Sequence, residues 1–179
     1  MLQQQFEALV TEMQSPVGFT PQALNVAASW SLQNNYRLDK GLEWATLATS
    51  PGFPGDPTFF PAQVTKAAIL EKAGRTAASD SVIRAALPLG NVTQLQQLGR
   101  QLLTAKRLPM AMETYQYNVK KYPGQFASLM GMVRGLSASG EHKKALDFAK
   151  RALLVAPNNA NKQAVQAMID QLKAGKDIN

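Results

Sequence analysis

Apolar residues recur along this chain in steps of three and four, the spacing that gathers them on one face of an α-helix. Leu95, Leu98 and Leu102 follow the rule, and Ala111 and Tyr115 continue it after a polar break. Leu129, Met132 and Leu136 repeat it, with Ala145 and Ala149 beyond a Gly140-Glu141-His142 turn. Pro123 and Pro157 stand where each second helix should stop, because proline cannot continue the hydrogen-bond ladder. Upstream, residues 60–90 carry Ala67, Leu70, Ile83, Ala86 and Leu87 around a Gly74 turn, with Gln63 and Lys66 at places that apolar residues usually hold. Residues 21–50 carry Leu24, Ala27, Ala28 and Leu32, then Leu38, Leu42, Ala45 and Ala48. Between these two segments, Ser50 to Asp56 with Pro57 reads as a stiff irregular loop. Leu2, Phe6, Leu9 and Met13 form one face of a helix over residues 1–15, stopped near Ser15-Pro16. Val165, Met168, Ile169 and Leu172 do the same within residues 160–179, opposite a polar face suited to a terminal cap. The pattern predicts about ten helices and no strands.

The segments repeat. Pro123 and Pro157, Ala111 and Ala145, Leu102 and Leu136, and Leu95 and Leu129 are each 34 residues apart. A period of 34 with Leu95-x2-Leu98-Gly99-x2-Leu102, then Ala111-x3-Tyr115 and Pro123, resembles the tetratricopeptide repeat, a helix-turn-helix unit. The expected fold is therefore all-α: an α-solenoid of four tetratricopeptide-like repeats within residues 16–158. They cover about 21–50, 60–90, 92–124 and 126–158, flanked by the N-terminal helix and the C-terminal cap. One helix pair cannot bury its stripe alone, so pairs must stack. Small residues at the Gly99 and Ala145 places let helices approach closely.

A narrower resemblance rests on Leu42-Glu43-Trp44-Ala45, Ala68 to Thr76, Gly99-Arg100-Gln101-Leu102-Leu103, Arg134-Gly135-Leu136-Ser137 and the ending Leu172 to Asn179. From about Gly18 onward the chain is similar to the helical tail of an uncharacterised bacterial family. In that family a β-rich N-terminal domain precedes the tail and the full-length proteins are exported. The resemblance implies a periplasmic or exported setting if this chain is a fragment. The start of the chain itself lacks the basic and apolar regions of a signal peptide.

Composition removes whole classes of chemistry. Among 179 residues there is no Cys and one His, His142. No disulfide framework, thiol nucleophile or multi-histidine metal site can be built from these. Phosphate loops, dinucleotide fingerprints and zinc-protease motifs are missing, and Gly135-Leu136-Ser137-Ala138-Ser139 lacks the final Gly of a nucleophile elbow. No enzyme, metal or cofactor is expected, and His142 is assigned to a surface turn. Asn91-Val92-Thr93 matches a glycosylation sequon by chance. No run of about 18 apolar residues is present, so no membrane insertion is expected.

The formal net charge is +7. Residues 1–99 hold six Lys/Arg and seven Asp/Glu, whereas residues 100–179 hold thirteen and five, so the excess lies wholly in the second half. A basic surface attracts acidic partners at long range. Lys143, Lys144, Lys150 and Arg151 lie without interleaved aromatics, which argues against nucleic acid.

First helices of stacked pairs line a concave groove. In the third repeat Gln96, Gln97, Arg100, Leu103 and Thr104 should face it, and in the fourth Met130, Gly131, Arg134, Ser137 and Ala138. Arg100 and Arg134 are 34 apart and hold matching places. Guanidinium groups present planar forks suited to carboxylates. They either face a partner, pair with nearby acids or stand in water. Trp30 either ends the groove as an aromatic wall or packs between repeats. Asn118, at a place usually held by Ala, should bond a backbone carbonyl of an adjacent helix. The expected function is a non-catalytic scaffold that binds a protein or peptide in the groove, with an acidic segment the partner the two arginines favour. The alternative is a structural module that self-associates or docks on a missing β-rich domain, with the N-terminal helix as docking surface.

Overall fold

The computed structural model describes residues 1–15 and 19–179. Among these, ten α-helices and no strand are present. They are α1 (Leu2–Met13), α2 (Pro21–Asn34), α3 (Leu38–Ala48), α4 (Phe60–Lys72), α5 (Thr76–Ala86), α6 (Val92–Thr104), α7 (Leu108–Lys121), α8 (Phe126–Ala138), α9 (His142–Leu154) and α10 (Asn159–Lys173). One 3-10 turn, Leu87–Leu89, follows α5. Pro16 and Gly18, where the sequence places the stop of the first helix and the start of its narrower resemblance, lie outside the described residues. α1 itself ends at Met13. The helices fall into two units, Met1–Leu89 and Gly90–Asn179.

Helix boundaries follow local chemistry. Thr20 and Asn158 accept the Ala23 and Asn161 N–H groups at 3.2 and 2.9 Å, capping α2 and α10. Asn91 and Gln94 exchange side-chain and backbone bonds at 2.9 Å in a capping box at the start of α6. Such caps satisfy N–H groups that have no partner within the helix. Asn91 therefore has a structural role. Pro21, Pro61 and Pro109 sit in first turns, where the missing N–H costs nothing.

In unit 1, α2 packs on α3, α4 packs on α5, and α4 also contacts both α2 and α3. Its core is rich in alanine: Ala27, Ala28, Ala45, Ala48 and Ala62 are fully buried beside Leu24, Trp44 and Ile69. A Cβ on Gly41 would stand 2.7 Å from the Ser31 Cβ, so α2 and α3 touch almost backbone to backbone there. Gln63 and Lys66 are half-buried on α4. Burial pushes the Lys66 ammonium below its ordinary pKa.

The N-terminal helix belongs to this core. Phe6 is buried, with its ring 5.5 Å from Tyr36, 5.6 Å from Trp44 and 6.2 Å from Trp30. Met13 is buried as well. Two residues of the apolar face, Phe6 and Met13, are thus covered within unit 1. Leu2 alone of the four remains exposed.

In unit 2, α6 packs on α7 and α8 on α9. α8 also contacts both α6 and α7, and α10 packs on α9. Leu95, Leu98, Leu102, Leu129, Met132 and Leu136 are buried, as are Ala111, Ala145, Ala149 and Ala152. Each fully buried Leu contributes about 1.5–3 kcal/mol relative to exposure. Asn118 is fully buried, and its Nδ2 donates to the Val92 carbonyl at 3.0 Å, tying α7 to the first residue of α6. Lys121 Nζ and the Tyr122 hydroxyl both donate to the Gly90 carbonyl at 3.1 Å beside it. Val165, Ile169 and Leu172 bury the inner face of α10. His142, expected in a turn, is instead the first residue of α9 and half-buried; Glu141 is the N-cap.

Candidate functional site

The two arginines singled out by the repeat period lie in unit 2, Arg100 on α6 and Arg134 on α8, two helices in direct contact. Arg100 is exposed and Arg134 half-buried. Burial holds the Arg134 guanidinium below its ordinary pKa, and the positive charge of Arg100 lowers it further. Among the described residues no carboxylate pairs with either arginine, whereas ion pairs such as Arg37–Asp39, Lys40–Glu43 and Lys144–Glu141 form elsewhere. Two like charges therefore stand close enough to repel with no acid between them.

An open hollow of about 720 Å³ runs along α6, lined by Thr93, Gln96, Gln97, Arg100, Gln101 and Thr104. Gln96 is half-buried, whereas Gln97 and Thr104 are exposed. The Thr104 hydroxyl donates back to the Arg100 carbonyl at 3.1 Å. The surface is thus one cation among amide and hydroxyl groups, chemistry that suits hydrogen-bonding, anionic chains rather than apolar ligands.

Beneath the arginines lies a feature the periodicity does not announce. Tyr115 of α7 is fully buried, and its ring is wedged between α6 and α8. A Cβ on Gly99 would stand 2.2 Å from its Cε1, one on Gly131 2.5 Å from its Cδ1, and one on Gly135 2.9 Å from its Cδ2. Three glycines thus form the slot that the ring fills. The phenolic oxygen is buried without a hydrogen-bond partner. Burial pushes its pKa up to about 12 even though Arg134 and Arg100 both pull it down, so it is a neutral donor at any ordinary pH. The signal was present in the sequence as Gly131 and Gly135 one turn apart, opposite Tyr115 at the aromatic place of the repeat. It is only meaningful once α7 and α8 are known to be packed.

Other expected groove residues are placed differently. Met130 is 7% exposed and Gly131 faces the Tyr115 ring, so neither offers a surface to a partner; both are corrections. The cause is that α8 is covered on more than one side, by α6, α7 and α9. Ser137 is covered too, by Asp177 and Ile178. Its hydroxyl donates to the Asp177 carboxylate at 2.7 Å and accepts the Ile178 N–H at 3.1 Å. Asn179 Nδ2 donates to the Arg134 carbonyl at 3.1 Å. Trp30 lies in unit 1 with its ring 6.2 Å from Phe6 and 6.1 Å from Tyr36, in the aromatic cluster under α1. As an aromatic wall it is corrected, since the neighbours that take up its ring are α1 and Tyr36.

No Asp, Glu or His cluster suited to a metal ion occurs among the described residues. No described helix is long and apolar enough to cross a membrane.

No protein-family model matches the chain, and no curated protein does. Among solved structures it is similar to YrrB, described as a TPR protein with an unusual peptide-binding site. The likeness covers 97% of this chain and 95% of that one at 15% identity, with a TM-score of 0.50. At that identity the likeness concerns the fold: the helix pairs of both units are tetratricopeptide-like.

Proposed function

We propose that this protein is a non-catalytic interaction scaffold that binds an extended acidic peptide along α6 and α8 of unit 2. The observation that carries the reading is the pair Arg100 and Arg134, which hold matching places one repeat apart with no acid of the described residues between them. A half-buried guanidinium beside a like charge is unfavourable in the free chain, and an anion offsets that cost. The hollow along α6 adds amide and hydroxyl groups that suit the backbone of an extended peptide. Tetratricopeptide-like folds generally serve as protein-interaction modules, and the peptide-binding site named for YrrB supports the same reading for its structural neighbour. The basic excess of residues 100–179 favours acidic partners by long-range attraction.

The alternative of a module that docks through its N-terminal helix is disfavoured by the burial of Phe6 and Met13 inside unit 1. Binding of an acidic peptide library to the wild type and to the Arg100→Ala/Arg134→Ala double variant tests the proposal. Loss of binding in the variant supports it. Equal affinity for both proteins removes the arginines, and with them this groove, from the assignment.

A further inference from the structure

We propose that segment 177–179 occupies part of the peptide groove as an internal stand-in for the partner, and that an acidic peptide displaces it to bind along α8. The inference rests on the peptide-binding reading and deepens it: it names a regulatory contact within that site and the pattern the partner carries.

The geometry starts at the end of α10. Gly175 takes φ +69°, a conformation that glycine adopts without strain. Its N–H donates to the Leu172 carbonyl at 3.0 Å, and the Lys176 N–H donates to the Gln171 carbonyl at 3.0 Å. This left-handed cap closes the helix and redirects the backbone. Residues 177–179 then lie on α8. The Ser137 hydroxyl donates to the Asp177 carboxylate at 2.7 Å and accepts the Ile178 N–H at 3.1 Å. Asn179 Nδ2 donates to the Arg134 carbonyl at 3.1 Å, one helical turn earlier. One hydroxyl thus reads two features at once: an acidic side chain and the N–H of the residue after it. The α8 residues involved, Arg134 and Ser137, are those that the repeat period turns toward a partner. The contact is acidic-peptide recognition carried out within one chain.

The contact is also built to be reversible. Val165, Ile169 and Leu172 complete the buried face of α10 before the cap, so lifting 177–179 uncovers none of them. Asp177 and Asn179 are exposed and Ile178 is half-buried. A few hydrogen bonds near the surface are set against the ordering cost of three residues, and these quantities are similar in size. The docked and lifted forms therefore differ little in free energy. A ligand that binds only the lifted form shifts the balance toward it.

The test uses the full chain and a short acidic peptide with Asp-Ile-Asn at its centre, followed by fluorescence anisotropy. Two control peptides replace that centre. Asn-Ile-Asn removes the carboxylate, and Asp-Pro-Asn removes the N–H that Ser137 accepts. Asp177→Ala and Asn179→Ala both lift the segment, and the second does so without changing the charge. Each variant should bind the peptide about three- to tenfold more tightly than the wild type, whose affinity is reduced by the fraction of time its site is open. Both control peptides should bind the variants more weakly. Saturating peptide should move the wild-type Ile178 amide resonance to the position it holds in Asp177→Ala. A segment that merely clips α10 to α8 would show no such coupling.

If the peptide binds the wild type and both variants alike, and the Ile178 resonance keeps its docked position, the segment is no stand-in and the groove reading stands. A gain in Asp177→Ala alone, with the Ile178 resonance unmoved by peptide, is relief of charge repulsion and overturns the proposal as well. If neither the wild type nor the released variants bind the acidic peptide, both readings fail.

Discussion

Tyr115 and Gly99 lie so close that a single methyl group cannot stand between them: a Cβ on Gly99 would fall 2.2 Å from the tyrosine Cε1. The contact involves a rigid ring already held on its far side by Gly131 and Gly135, so it has nowhere to go. Gly99→Ala should therefore force α6 away from α7 and α8 despite alanine's better helix propensity. The expected loss is about 1–3 kcal/mol, the usual cost of overpacking a filled core. Chemical denaturation measures it, and a variant as stable as the wild type would show that the helices separate freely.

Lys106 offers a change in the opposite direction. It adopts φ +59° at the turn between α6 and α7, the place that Gly74 and Gly140 fill in the neighbouring repeats with φ +74° and +73°. A residue with a Cβ pays about 1–2 kcal/mol for that conformation. Lys106→Gly should stabilise the protein, raising Tm by about 2–4 °C for each kcal/mol recovered. Gly140→Lys should lower it.

Asn118 is a polar residue in an otherwise apolar position, and its one bond joins α7 to the Val92 carbonyl at 3.0 Å. Asn118→Ala leaves that carbonyl short of a donor and opens a small void. A loss of about 1–3 kcal/mol is expected, the range for removing one member of a buried hydrogen bond. Faster amide exchange at the start of α6 is the local sign to look for.

The segment 177–179 should be released from α8 by acid. Burial tends to raise the Asp177 pKa, but bonds from the Ser137 hydroxyl, the Asn179 side chain and the Asn179 and Ile178 N–H groups outweigh it, and the net position is below the ordinary 3.8. A carboxylate with a lowered pKa favours the docked state. That contribution is complete above the ordinary value and disappears as pH falls through the lowered one. Between pH 5 and neutrality the docked end should be insensitive to pH. Below the ordinary carboxylate range, the Ile178 and Asn179 amide resonances should shift toward those of an undocked segment. Asp177→Ala should show the released spectrum at neutral pH, and an unchanged spectrum there would rule out the carboxylate as the latch.

Much of this architecture was legible in the order of residues. The 34-residue period places Leu95 with Leu129 and Leu102 with Leu136, and all four are buried. Helix ends were readable because breakers act within a few residues of themselves, as Pro123 does at the end of α7. Gly99 was legible as a point of close approach, and Asn118 as a buried amide in need of a carbonyl. The matching of Arg100 with Arg134 also follows from the period alone.

What the order of residues did not contain was which of the remaining helix faces are covered. A 3.6-residue period marks the one stripe that must be buried; it is silent about neighbours met on the other sides. α8 meets α6, α7 and α9 together, so Met130 and Gly131 are enclosed although they lie off the main stripe. Trp30 is taken up by a helix that begins almost thirty residues earlier, and Ser137 by residues forty positions later. The sequence by itself determined the all-helical repeat, its turns and the two aligned charges, because those depend on local hydrogen bonding and spacing. Only the tertiary structure decided that the Tyr115 ring is enclosed by Gly99, Gly131 and Gly135, because that depends on three helices closing around one ring.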